Sequence, residues 1–472
     1  MISRPVASVE ATGGSVTGPS LLGGPRRIGL RPGRPFVHLV GVSGPVDGLD
    51  VAGLPPGLAF EPSRRVIAGR TTAIGRHEVR ITGEAAAGRL AESIELVVGD
   101  TICLTPPVGW NSWHAFGPAV TEDDVRRAAS VLVESGLAAR GWTTVNIDDG
   151  WQGTRDRGGR LRPNERFRDL RSLCDDLHGL GLRAGIYSSP GPLTCGGFPG
   201  SAGHEAEDAA SLAAWGFDHL KYDWCSAGGH TDDQPLETWT VPYLAMREAL
   251  DGVDRDIVYH VCQYGLGEVW RWARARVGAN AWRTTGDIVD TWDSVAGIGF
   301  GQADLAEFAG PGGWNDPDML VVGWVGGAWG RPLEPTRLTP DEERTHLGLW
   351  VLLAAPLLVG CDLARLPGPT LELLSNPELL AIQSDVLGRQ ARRISVAESL
   401  EVWRRPLADG ASAIGVFNRG DCPTTAGIEW RAFGHRAESA ARDVWAQRDL
   451  EASGGWHGRL PAHGSVLLRV GP

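Results

Sequence analysis

The chain has 472 residues, of which 42% are apolar and 22% charged, and its formal net charge is −12. This length is too great for one ordinary domain and suits two or three. An acidic chain repels phosphate backbones, which argues against nucleic acid as a partner, and no apolar run is long enough to span a membrane. A neutral small molecule fits the charge better as a ligand.

Residues 1–100 are predicted to form an N-terminal Ig-like β-sandwich, because short alternating runs are separated by Gly and Pro turns. The runs are Phe36–Val40, His77–Ile81 and Ser93–Val98. The stretch Leu54–Phe60, followed by Ile67-Ala68-Gly69, resembles Ig-like modules of bacterial carbohydrate-active proteins. We expect a structural role, as a lid or an interface. Met1–Gly14 has no apolar core of a signal peptide, so a cytoplasmic location is expected, or a secreted one if the N-terminus is trimmed.

Residues 101–388 alternate short apolar runs with amphipathic helices, which predicts a parallel sheet closed into a catalytic (β/α)₈ TIM barrel. The alternative is a doubly wound sheet, but no G-x-G-x-x-G motif follows the first strand. The predicted strands are Thr143–Asp148, Arg183–Tyr187, His219–Asp223, Ile257–Val261, Ala281–Arg283 and Val351–Leu358. The predicted helices are Thr121–Gly136, Phe167–Gly179, Glu205–Trp215 and Val241–Leu250.

Residues 389–472 return to strand-like alternation and are predicted to form a C-terminal antiparallel β-sandwich, so the whole chain is of the α/β class with a sandwich on each side of the barrel. The alternating runs are Leu400–Trp403, Ala413–Phe417 and Ser465–Leu468. The seven cysteines are scattered and include no C-x-x-C pair, so we predict neither a structural zinc site nor another metal.

Polar side chains follow six of the apolar runs in the central region, at the ends where a barrel builds its active site. They are Asp148, Asp149, Tyr187, Lys221, Asp223, Gln263, Arg283, Asp287 and Asp318. A single aspartate there would be explained equally well as a helix N-cap, but six such ends together favour an active site. A pair of carboxyl groups, one ionised and one protonated, is what cleavage of a glycosidic bond needs.

The central motifs resemble those of glycoside hydrolase family 27, the α-galactosidases and α-N-acetylgalactosaminidases, and they occur in the family's order. The matching stretches are Gly109–Trp113, Asn146–Trp151, Gly185–Tyr187, Thr194–Ser201, Leu220–Cys225 and Gly312–Leu320. The resemblance implies a retaining exo-glycosidase without a cofactor, with Asp223 as nucleophile and Asp287 as general acid/base. It further implies a disulfide between Cys195 and Cys225. The galactose pocket that it implies consists of Trp113, Asp148, Asp149, Tyr187, Cys195, Lys221, Arg283 and Asp318.

Residue types around the implied nucleophile agree with that role. Lys221 is the single lysine among 45 Lys and Arg residues, and it lies two positions before Asp223 on a strand, so both side chains face the same side. Its ammonium favours the ionised carboxylate. A retaining mechanism further predicts that the carboxyl groups of Asp223 and Asp287 lie about 5–5.5 Å apart.

The identity of the sugar is less constrained by the sequence. Many family members carry Glu where this chain has Gln263, a position that contacts the C2 substituent in the family, and the large side chain argues against an N-acetyl group. Alternatives are the same chemistry on a β-L-arabinopyranoside or an isomalto-type glucan, and a non-catalytic sugar-binding protein. Two adjacent acids, Asp148 and Asp149, favour galactose, and the presence of both candidate catalytic carboxylates favours an enzyme. The oligomeric state is open, with a homo-oligomer among the options.

Overall fold

The computed structural model describes residues 22–85, 88–229, 234–451 and 454–471, so the Met1–Gly14 segment lies outside it. Within these ranges, no helix combines the length and apolarity that crossing a membrane requires. The N-terminal part forms a sandwich of two sheets with strand orders β1-β7-β6-β3 and β2-β5-β4. The strands are β1 (Arg27–Leu30), β2 (Pro35–Leu39), β3 (Val46–Ala52), β4 (Leu58–Glu61), β5 (Val66–Arg70), β6 (Gly75–Ala85) and β7 (Gly88–Val98). Alternate apolar side chains of both sheets form its core.

The central part confirms the barrel prediction. Its eight-stranded sheet has the order β16-β15-β14-β13-β12-β9-β8-β19, and every neighbouring pair is parallel. The ring is closed where Leu320 donates to the carbonyl of Leu358 at 2.9 Å and accepts from Gly360 at 3.0 Å. The strands of this part are β8 (Val108–Asn111), β9 (Thr144–Asn146), β10 (Gln152–Arg155), β11 (Leu161–Pro163), β12 (Arg183–Ser188), β13 (His219–Asp223), β14 (Val258–Cys262), β15 (Ala281–Arg283), β16 (Trp314–Asp316), β17 (Trp324–Val325), β18 (Glu334–Pro335) and β19 (Leu357–Val359).

A helix follows each barrel strand, and the helices begin where the sequence offers N-caps. Thr121 and Asp124 form a capping box at the start of α2, and Asp169 caps α3. The helices are α1 (Trp113–Phe116), α2 (Glu122–Glu134), α3 (Leu170–Gly179), α4 (Glu205–Trp215), α5 (Leu236–Asp251), α6 (Val269–Val277), α7 (Trp292–Phe300), α8 (Pro340–Leu352), α9 (Gly368–Leu374) and α10 (Pro377–Gln383).

One predicted strand is wrong. The segment Val351–Leu358 begins as the end of helix α8 and becomes strand β19 only at Leu357. Every residue of α8 from Thr345 to Leu352 is buried, because this helix packs on the barrel on one side and the C-terminal sheet on the other. A helix buried all round has no polar face, so its apolar run resembles a buried strand.

The C-terminal part contains a six-stranded sheet, β20-β21-β22-β27-β24-β25, and the pair β23-β26, which enclose a second apolar core. It is joined to the barrel by the buried Arg405, which donates to the carbonyl of Val351 at 2.5 Å, and by Thr345, which donates to the carbonyl of His463 at 2.6 Å. The strands are β20 (Arg392–Ala397), β21 (Leu400–Pro406), β22 (Ser412–Asn418), β23 (Thr424–Glu429), β24 (Ala441–Asp443), β25 (Arg448–Leu450), β26 (Gly455–Leu460) and β27 (Ser465–Val470).

The N-terminal sandwich docks on the end of the barrel where the strands begin. Arg31 donates to both carboxylate oxygens of Asp256, with its Nε at 2.5 Å from Oδ1 and its backbone nitrogen at 2.8 Å from Oδ2. Arg64 donates to the carbonyls of His178 and Gly179. Because the carboxyl ends of the strands lie at the opposite end, the sandwich forms an interface and is not a lid over them.

Candidate active site

Strands β12 and β13 place three polar side chains side by side at the carboxyl end of the barrel. Tyr187 on β12 pairs in register with Lys221 on β13, and Asp223 follows two residues later on the same inward face. The loop after β9 brings Asp148 and Asp149 to the same end. Asp148 and Asp223, which are 75 positions apart in the chain, therefore meet in one pocket because their parallel strands end together.

Asp223 is buried, and its two carboxylate oxygens have different environments. The Tyr187 hydroxyl donates to Oδ2 at 3.2 Å, and the Lys221 ammonium lies 3.9 Å from the same oxygen. The Tyr264 hydroxyl also interacts with this carboxylate, while Oδ1 has no hydrogen-bond partner among the described residues. Burial, reinforced by the negative charge of Asp287, raises the pKa of Asp223, although Lys221 opposes the shift. One oxygen is therefore held in place while the other stays available for chemistry.

Lys221 is the counterion of the acids in this pocket. Its ammonium donates to Asp148 Oδ2 at 2.9 Å and lies 5.2 Å from the centre of the Tyr187 ring. Burial disfavours the charged form, but Asp148 and Asp223 outweigh it and raise the pKa of Lys221 above its usual range. The side chain stays cationic in a pocket that otherwise concentrates negative charge.

The adjacent acids Asp148 and Asp149 are both buried and differ in their partners. Asp148 accepts from Asn111 Nδ2 at 2.8 Å as well as from Lys221, whereas Asp149 accepts from the backbone of Gly196 at 2.6 Å. The other oxygen of Asp149 has no partner among the described residues. Burial, with the charges of Asp148 and Asp223 adding to it, raises the pKa of Asp149 to about 6. Asp149 thus offers a free acceptor to a ligand.

Arg283 connects the implied acid/base residue to a second carboxylate. Its Nη2 lies 3.0 Å from Asp287 Oδ1 and 3.0 Å from Asp318 Oδ2. Asp318 is fixed in turn by the backbone N–H of Ile288, at 2.9 Å. The side chain of Asp287 is 57% exposed. Partial burial alone would raise the pKa of Asp287, but Arg283 and Lys221 outweigh it and hold that pKa below its usual range.

A disulfide joins Cys195 to Cys225 at the wall of the pocket. Cys225 Sγ lies 3.2 Å from the Tyr187 hydroxyl, and the Tyr264 hydroxyl lies 3.3 Å from Cys195 Sγ. Among the described residues, the single group of three potential metal ligands is Cys195, Asp223 and Cys225. Its two sulfurs are bonded to each other, so they are not available as thiolate ligands.

Gln263 and Trp113 complete the predicted set. Gln263 is fully buried at the end of β14, and neither its amide oxygen nor its amide nitrogen has a partner within the described part of the chain. Trp113 opens helix α1, where its backbone N–H donates to Asn111 Oδ1 at 2.8 Å. Each of the eleven site residues predicted from the sequence is therefore at the carboxyl end of the barrel or in the loops that follow.

Two residues of the pocket were not assigned from the sequence. Asn111 holds both Asp148 and the backbone of Trp113, and Tyr264 contacts the disulfide. Asn111 lies within the Gly109–Trp113 motif, so its position at the end of β8 was the available signal. Tyr264 has a φ of +58°, which is uncommon for a residue other than glycine and turns the chain directly after Gln263.

A (β/α)₈ barrel whose strand ends bring several carboxyl groups together with a lysine and an arginine has the features of a glycoside hydrolase. Comparison with known proteins identifies the family. The sequence model of the family described as Alpha galactosidase A matches residues 105–385, and that of its C-terminal β-sandwich domain matches residues 397–470. The chain belongs to the α-galactosidase family of glycoside hydrolases, family 27.

Individual relatives agree with this assignment. α-Galactosidase 3 of Arabidopsis thaliana is 39% identical over 80% of this chain and 84% of its own length. The crystal structure of a Bacteroides fragilis protein, 35% identical, has a TM-score of 0.89 and covers 96% of this chain and 98% of that one. A family 27 β-L-arabinopyranosidase from Geobacillus stearothermophilus is 27% identical, with a TM-score of 0.70 over 78% of this chain and 97% of its own.

Proposed function

We propose that this glycoside hydrolase removes terminal α-D-galactosyl residues by retaining double displacement, with Asp223 as the nucleophile and Asp287 as the general acid/base. The observation that carries the proposal is the state of Asp223. One of its oxygens is held by Tyr187 and neighbours the Lys221 ammonium, and the other has no partner within the described residues. A nucleophilic carboxylate needs such a fixed, ionised group with a free oxygen.

In the first step, Asp223 Oδ1 attacks the anomeric carbon while Asp287 gives its proton to the departing glycosidic oxygen. The two carboxyl groups interact, so they titrate as a pair. In the unliganded site the pKa of Asp223 is raised and that of Asp287 is lowered, so the acid role of Asp287 requires that the shared proton lies on Asp287 once the sugar is bound. Formation of the glycosyl ester removes that charge. Arg283, at 3.0 Å, then favours ionised Asp287, which takes a proton from the water that releases the sugar.

The acids beside the nucleophile account for the choice of galactose. The carboxylates of Asp148 and Asp149 are accepting groups on adjacent residues, as the axial C4 hydroxyl and the exocyclic C6 hydroxyl of galactose require. Lys221 adds a donor beside them, with its ammonium at 2.9 Å from Asp148 Oδ2. A sugar that offers both hydroxyls satisfies the free oxygen of Asp149, which would otherwise be buried without a partner.

The second candidate substrate is a β-L-arabinopyranoside, which is a galactoside without C6. The similarity to the Geobacillus enzyme favours it, whereas the second acid disfavours it because its partner hydroxyl would be missing. Rates on aryl α-galactoside and aryl β-L-arabinopyranoside, measured side by side, decide between the two. We expect the galactoside to react faster, and the reverse order would assign the enzyme to arabinopyranosides.

The mechanism is tested with Asp223→Ala and a matched control, Asp175→Ala, which removes an exposed aspartate from α3. We expect Asp223→Ala to abolish turnover of an aryl α-galactoside and the control to retain it. NMR of the first-formed sugar should show α-galactose. Turnover by Asp223→Ala at the wild-type rate would refute the assignment of the nucleophile, and β-galactose formed first would refute the retaining mechanism.

A further inference from the structure

A second cavity, of about 80 Å³, lies at the end of the barrel opposite the active site, between the barrel and the N-terminal sandwich. It has room for several water molecules or one small polyatomic ion. The walls come from three parts of the chain, and they include Ile28 and His38 of the sandwich, Thr144 and Arg183 of the barrel, and Ser384 after helix α10. Nothing in the proposed reaction uses this cavity.

Arg183 is the residue that gives the cavity its chemistry. It is the first residue of β12 and lies on the same face as Tyr187, four residues later. Its side chain therefore points toward the barrel axis at the end where the strands begin. Within the described residues, its guanidinium makes no hydrogen bond and no ion pair. The charge of Asp218 acts on Arg183 without direct contact. A half-buried guanidinium without a hydrogen bond is unfavourable, and an anion in the cavity would offset that cost.

The carboxylate whose charge acts on Arg183, that of Asp218, is already engaged by three other groups. Asp218 Oδ2 accepts from the backbone of Ala184 at 2.9 Å and lies 2.8 Å from His178 Nε2, and its Oδ1 accepts from Arg255 at 2.7 Å. Among the cavity's lining residues, Asp218 is the one carboxylate. The acid cannot turn toward Arg183 without giving up these contacts.

The remaining charged and titratable groups add positive or neutral character. Arg140 also lines the cavity, and its Nε donates to the carbonyl of Ser375 at 3.1 Å. Burial, with the charge of Arg183 adding to it, lowers the pKa of His38 to about 3. Burial, followed by the neighbouring His260, lowers that of His219 to about 3 as well. Two arginines and two neutral imidazoles thus line the cavity. Its one carboxylate, Asp218, is already paired with His178 and Arg255, in a chain whose net charge is −12.

We propose that this cavity is a binding site for a compact oxyanion of the phosphate or carboxylate class, held by the guanidinium of Arg183. A planar guanidinium binds two oxygens of such a group at once, which a lone ammonium cannot do. The anion would lie between the sandwich and the barrel, so its binding stabilises the docking of the two parts. Catalysis at the other end of the barrel does not depend on it.

The test is calorimetry and thermal unfolding of the full chain with inorganic phosphate, succinate and, at matched ionic strength, chloride. We expect saturable one-to-one binding of phosphate or succinate, with a rise in Tm that chloride does not reproduce. Arg183→Gln should weaken this binding by about tenfold or more. The matched control Arg171→Gln removes an exposed arginine of α3 and should bind as the wild type does. Whichever of phosphate and succinate binds with the higher affinity identifies the ligand class.

Three results would overturn the proposal. The first is the absence of saturable binding to the wild type by either anion. The second is unchanged affinity in Arg183→Gln or, if that variant does not fold, in Arg183→Lys, which keeps the charge but loses the two-point contact and should bind about tenfold more weakly. The third is displacement of the anion by galactose, which would place the anion in the active site.

Discussion

Removal of the Lys221 ammonium should shift the pH dependence of this enzyme. Lys221→Met keeps an unbranched side chain and deletes the charge that lies 3.9 Å from Asp223. At an effective dielectric constant of about 20, the lost attraction amounts to about 4 kcal/mol, or about 3 pKa units. Because Asp223 must be ionised to attack, its higher pKa moves the acidic limb of kcat/KM upward by as much as about 3 units. Unpaired Asp148 also costs the fold about 3–5 kcal/mol.

The assay is kcat/KM for an aryl α-galactoside between about pH 4 and 10, with circular dichroism to establish that the variant is folded. Lys221→Arg is the control, because it keeps the positive charge and should leave the acidic limb within about one unit of the wild type. The reasoning is refuted if folded Lys221→Met shows the acidic limb of the wild type. A loss of activity that is equal at every pH would show that Lys221 positions the sugar and does not set the ionisation of Asp223.

Further predictions concern the walls of the pocket. Asp149 has a folded pKa of about 6 against 3.8 unfolded, so stability falls as pH rises between them. Asp149→Asn should increase the free energy of unfolding by up to about 3 kcal/mol, measured in urea at pH 7, and should abolish turnover. An unchanged free energy of unfolding would contradict this prediction. Cys225→Ser removes the disulfide and leaves Cys195 as a free thiol, which should raise KM about tenfold. A reductant should raise the KM of the wild type by a similar factor and leave that of the variant unchanged. Away from the pocket, Arg155→Gln removes the partner that lies 2.7 Å from the buried Asp208 and should cost about 3 kcal/mol.

The elements that the sequence predicted best are those with a clear period or cap. Helix α2 begins after Thr121 because a capping box is a local signal, and β13 was bounded correctly because its five residues are all buried and precede a polar loop. Helix α8 was mistaken in part for a strand because it is buried on all sides, which no local pattern separates from a buried strand. Helix α5 starts at Leu236, ahead of the predicted Val241, with Pro242 tolerated inside it.

By itself, the sequence determined the order of strands and helices, the inward placement of Lys221 and Asp223 on one strand, and the motifs that identify the family. Those properties depend on residues close together in the chain. The tertiary structure alone decided which polar atoms are satisfied and which stay free. Asn111 donates to Asp148 from 37 residues away and Gly196 donates to Asp149 from 47, while the Arg183 guanidinium has no hydrogen bond within the described part of the chain. Such partners come from distant segments brought together by the closed sheet, so no local pattern could assign them.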